Sequence, residues 1–109
     1  MKKIQLKLKN KSWLIYNDFY DIPQNISLKT LENKNPLLLQ EDALLIRSPH
    51  YVIDAGYYNL LFRGLIVKDQ NYDAPIERVS FKTVQEAKKW INTWVKKVEK
   101  LEKKNKNET

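Results

Sequence analysis

The chain has no cysteine and a single histidine, His50, among its 109 residues. Without thiols there is no disulfide, no iron–sulfur cluster and no cysteine nucleophile, and one imidazole excludes zinc sites built from several Cys or His ligands. Glycine is nearly as scarce, with two against four prolines. Phosphate-cradling glycine loops and the G-x-S-x-G elbow of hydrolases therefore have no residues to be built from. Long hydrophobic runs are also missing: those at 37–39, 43–46 and 60–62 fall far short of the roughly twenty residues that cross a bilayer as a helix. The basic N-terminus alternates polar with apolar residues and leads into no apolar stretch or small-residue cleavage site. It predicts a chain without a signal peptide, hence a cytoplasmic protein. Arginine is short as well, with only Arg47, Arg63 and Arg78 offering the fork that clamps a phosphate or reads guanine.

What is present is an ordinary globular composition, 42% apolar and 30% charged, at a length that suits one hydrophobic core. The formal charge is +7 and unevenly placed. Residues 1–11 carry five lysines and no acid, and residues 83–109 carry eight lysines against four glutamates. The body between them, 12–82, has seven basic residues against nine acidic ones. The positive field therefore belongs to the two ends, and its meaning depends on whether the fold brings them together.

Period-two alternation of Ile4, Leu6 and Leu8 with lysines predicts a strand over 3–9, paired as a hairpin with the aromatic and β-branched stretch 13–20. Short strands are expected at 26–31, 37–39, 43–47 and 51–54, separated by turns such as the one at 33–36. Residues 57–68 read as one long strand, and a polar loop at 69–75 leads to a last strand at 76–81. Thr83 followed by Glu86 has capping-box spacing and predicts a helix start. Beyond it Val84, Ala87, Ile91, Trp94, Val98 and Leu101 recur at three- and four-residue intervals, widened by Trp90 and Val95. The fold class is α+β: a curled antiparallel sheet of about five or six strands, covered on one face by a long C-terminal helix. A small β-barrel with the same helix satisfies the pattern too. One domain over 1–103 is expected, with 104–109 a frayed or disordered basic tail because no apolar anchor follows Leu101.

No spacing points to catalysis. Ser48, His50 and Asp54 can be written as a triad, yet they have no elbow around them, and 69–73 lacks the glycine and glutamate of a calcium loop. The chain reads as a non-enzyme without cofactor or metal. Lysines that neutralise phosphates, combined with rings on which unpaired bases stack, point to nucleic acid. The candidate contacts are Lys3, Lys7, Lys9, Arg63 and Lys82, with Trp13 and Tyr57 as stacking residues. They presuppose an uncovered sheet face carrying Tyr57, Asn59 and Arg63 at one parity. The alternative is a protein-binding accessory or inhibitor protein, possible as a homodimer, acting through that face or through Trp94, Val98 and Leu101 of the helix.

Overall fold

In a computed structural model of the protein, residues 4–20, 22, 43–58 and 61–107 are described. The strands expected at 26–31 and 37–39, the turn at 33–36, Lys3 and Asn59 lie outside them. Five strands form one antiparallel sheet: β1 (Leu14–Asn17), β2 (Leu44–Arg47), β3 (Tyr51–Tyr58), β4 (Leu61–Lys68) and β5 (Glu77–Phe81), in that spatial order. The helix α1 (Val84–Asn107) packs across β3, β4 and β5. The α+β class with a helix-covered antiparallel sheet is as the sequence predicts.

The sheet's inner face follows from its register. Leu44 pairs with Ala55 and Ile46 with Ile53, while Ile53 pairs with Ile66 and Tyr57 with Phe62. All share the core with Val84, Ala87, Ile91, Trp94, Val95 and Val98 of α1. Gly64 lies in the same layer, and a Cβ there would sit 2.3 Å from the Trp90 ring. The indole is fixed in place, since its Nε1–H donates to Glu77 Oε1 at 2.6 Å and its ring tilts against Phe81 at 5.7 Å. Glycine is thus what lets helix and sheet approach at this point. Gly56, by contrast, is a plain strand residue opposite Arg63, with no positive φ.

Three expectations are corrected. Residues 57–68 are not one strand, because the chain reverses between Tyr58 and Leu61. That reversal breaks the parity linking Tyr57 to Arg63: Tyr57 faces the helix side opposite Phe62, whereas Arg63 pairs with Gly56 and points the other way. The face turned from the helix is an open platform only in part: Val52 and Val67, paired on it, are buried, whereas Arg47 and Arg63 are exposed and Leu45, Asp54 and Leu65 half-buried. Finally, residues 4–10 join no strand and bend at Lys9, and β1 pairs with β2 instead.

The alternation of 4–9 is nevertheless real in the fold. Ile4, Leu6 and Leu8 are buried or half-buried against the core, and Gln5, Lys7 and Lys9 are exposed. The ladder partner is a helix's side chains. Asn92 Oδ1 accepts from the Lys7 N–H at 3.0 Å and Asn92 Nδ2 donates to the Gln5 carbonyl at 2.9 Å. Glu99 Oε2 accepts from the Lys9 N–H at 3.1 Å. One carboxamide thus offers the donor–acceptor pair of a neighbouring strand. Tyr20, buried below, has its hydroxyl 3.0 Å from both Asn92 Oδ1 and the Lys88 carbonyl, and burial pushes its pKa far above the ordinary value.

The helix begins as read: Thr83 Oγ1 accepts from the Glu86 N–H at 3.1 Å and donates to Glu86 Oε1 at 2.9 Å. Its apolar stripe ends at Val98, and Leu101 is 36% exposed. One residue on, Glu102 is buried and accepts from the His50 N–H at 2.8 Å, with His50 Nδ1 2.6 Å from its other oxygen. The anchor for the last helical turns is polar, and so has no place in a hydrophobic pattern.

Candidate functional site

With the segment 4–10 laid along α1, the two basic ends meet. Lys7 and Lys9 stand on one wall of an open groove of about 730 Å³, and Lys96, Lys100 and Lys103 stand on the other. Lys7 and Lys9, two residues apart, are both exposed on the groove side of the segment. On the helix the three lysines fall at intervals of four and three residues, which share a face and make a row about 10 Å long. Asn92, Thr93 and Glu99 complete the lining. Two of these are already occupied: Asn92 and Glu99 hold the N-terminal segment in place. The groove therefore presents five ammonium groups against one carboxylate, and that carboxylate is the brace that keeps the walls together.

A second depression, about 630 Å³, opens at the end of the sheet where the 48–50 turn and the 69–70 turn come together. The His50 carbonyl accepts from the Asp69 N–H at 2.8 Å, which ties the two turns. Trp13, the last residue of a 3₁₀ turn (Lys11–Trp13), lines it together with Arg47, His50, Asp69 and Gln70. Asp69 and Gln70 both take positive φ, 53° and 60°, in a tight turn closed by the Asn71 N–H on the Lys68 carbonyl at 3.1 Å.

Of the residues expected to contact nucleic acid, Lys7 and Lys9 lie in the groove and Trp13 lies at the second depression. Tyr57 packs edge-on against Phe62 at 5.8 Å, and Arg63 is exposed on the opposite side of the sheet. Lys82 is exposed just before the helix. Phe19 and Tyr20 are core residues. Trp94 and Val98, expected at a protein interface, are buried against the molecule's own sheet, so over this stretch the helix is a lid and Leu101 alone of the three is exposed. Lys96, Lys100 and Lys103 were visible in the sequence only as part of a basic helix. Their four-and-three spacing puts them on one helix face, but Lys97, Lys100 and Lys104 are spaced equivalently, so only the packing of the N-terminal segment singles them out.

Elsewhere the polar side chains are taken up by structure. Ser48 Oγ donates to the Tyr51 carbonyl at 3.3 Å and accepts from its N–H at 3.1 Å, and His50 is engaged by Glu102. Lys88 is fully buried and donates to the Tyr20 and Ile22 carbonyls at 3.2 and 2.6 Å. No cluster of three metal-ligating side chains occurs among the described residues, and no helix among them is long and apolar enough to cross a membrane. The chain matches no protein-family model, no curated protein and no solved structure.

Proposed function

We propose that the protein is a non-enzymatic binding domain that holds nucleic acid by its phosphates in the lysine groove. The observation that carries this reading is the meeting of the two basic ends: Lys7 and Lys9 face Lys96, Lys100 and Lys103 across one channel. Lysine suits such a role, being a flexible point charge that neutralises phosphate without reading sequence. The groove is open, and its charge comes from lysines on two facing walls, which suits a polyanion. The burial of Trp94 and Val98 weighs against the alternative, a protein partner or second copy held on the helix stripe.

Fluorescence anisotropy of labelled single- and double-stranded oligonucleotides, titrated from low to physiological salt, tests the reading. Binding should weaken linearly in log–log form. For a single strand engaging all five lysines the slope approaches about −3.5. Absence of binding at low salt overturns the proposal.

A further inference from the structure

Short stretches of chain link the two depressions. Lys9 lines the groove and Trp13 the end pocket, with the short 3₁₀ turn between them. On the helix, Glu102 is bonded to His50 of the pocket, and the next residue, Lys103, lines the groove. The groove wall at Lys9 and Lys103 is thus within a few residues of the pocket wall at Trp13 and of Glu102, the partner of His50.

The pocket's chemistry differs from the groove's. Trp13 is half-buried, packed in part against the hydrophobic core, and lines the pocket with the rest of its surface. Arg47 is exposed and has no ion-pair partner among the described residues. His50 is engaged at Nδ1, 2.6 Å from the Glu102 carboxylate, which leaves Nε2 as the ring nitrogen available to a ligand. Asp69, on the tight turn, adds a carboxylate. A carboxylate repels phosphate but accepts from the amino groups on base edges. An aromatic face, a cation, a carboxylate and an imidazole nitrogen in one concavity suit a nucleobase with its flanking phosphate better than phosphate alone.

Resting on the proposed nucleic-acid function, we infer that the pocket at Trp13 takes an unpaired nucleobase from a single strand whose backbone lies in the lysine groove. Trp13 provides the stacking face, Arg47 pairs with the adjacent phosphate, and Asp69 and His50 meet the base edge. The protein thereby distinguishes single strands from duplexes and from base-free polyanions, which lysines alone do not.

The test measures three probes on each protein: a single-stranded oligonucleotide, the corresponding duplex, and inorganic polyphosphate of matched charge. The wild type should prefer the single strand by about tenfold, in line with one base stacked on an aromatic ring. Trp13→Leu and Arg47→Gln should each lose most of that preference, and Trp13→Phe, which keeps a ring, should retain much of it. Arg47 is exposed, so Arg47→Gln carries the test should Trp13→Leu fail to fold. A wild type that binds all three probes equally, or an Arg47→Gln variant with unchanged preference, overturns the inference and leaves the groove standing. Lys96→Glu combined with Lys100→Glu should weaken all three probes. A wild type that binds none of them overturns the groove reading and the pocket with it.

Discussion

At the scale of single residues, two positions hold contacts that a substitution table would not flag. Gly64 has ordinary strand φ, so its importance is steric: a methyl group there meets the six-membered ring of Trp90 at 2.3 Å. The ring cannot swing aside freely, because Glu77 holds its nitrogen and Phe81 its face. Gly64→Ala should destabilise the fold by about 1–3 kcal/mol, the usual cost of overpacking, read as a lower urea midpoint at unchanged slope. Glu102 is the second. Burial alone would raise its pKa, but hydrogen bonds from Ser48 and from the ring and backbone of His50, together with the charge of His50, hold it below the ordinary value of 4.5. A carboxyl with a lower value folded than unfolded stabilises the fold fully above the unfolded value, and that contribution disappears as pH falls through the folded one. Unfolding free energy should accordingly drop as pH is lowered below about 4.5, and Glu102→Gln should flatten part of that drop. An acid limb of identical steepness in the variant would remove Glu102 from the account.

Elements were legible in the sequence where their own residues decide them, and less so where a partner does. The helix start is local: Thr83 and Glu86 make the cap from within one turn, and Thr83→Ala should cost about 1 kcal/mol by thermal or chemical denaturation. The β4–β5 turn is local in the same sense: the end of β4 and the whole of β5 fall where alternation and the polar loop put them. The N-terminal segment is different. Its alternation specifies an extended chain with Ile4, Leu6 and Leu8 inward, which is correct, but alternation says nothing about what supplies the hydrogen bonds. Here the supplier is Asn92, more than 80 residues distant in sequence. Asn92→Leu removes both bonds to the segment, so amide exchange at Lys7 should accelerate well beyond that of the sheet, and nucleic-acid affinity should fall although no lysine has changed. Retained affinity with a mobile segment would mean that Lys7 and Lys9 contribute nothing to binding. The break between β3 and β4 was hidden for a related reason: 57–68 is continuously strand-like in composition, and only the pairing of Tyr58 with Leu61 marks the turn.

For the molecule as a whole, net charge proved less informative than its placement. The +7 of the sequence includes Lys88, which lies in the core holding the carbonyls of Tyr20 and Ile22. It also includes Arg63 and Lys82, neither of which lines the groove. The two lysine-rich ends could be counted from composition, but their convergence depends on a tertiary contact between residues about as far apart as the chain allows. This separation makes the final prediction one about position at constant charge. Each lysine that neutralises a phosphate should contribute roughly 0.7 to the slope of log affinity against log salt for a single strand. Replacing Lys96 and Lys100 by alanine removes two charges from one wall, replacing Lys7 and Lys9 removes two from the other, and either pair should lower the slope by about 1.4. Replacing Lys82 and Arg63 by alanine lowers the net charge by the same amount. If the groove is the binding surface, that third variant keeps the wild-type slope. If binding answers only to the field of a basic molecule, all three variants weaken alike and the convergence of the two ends has no part in it.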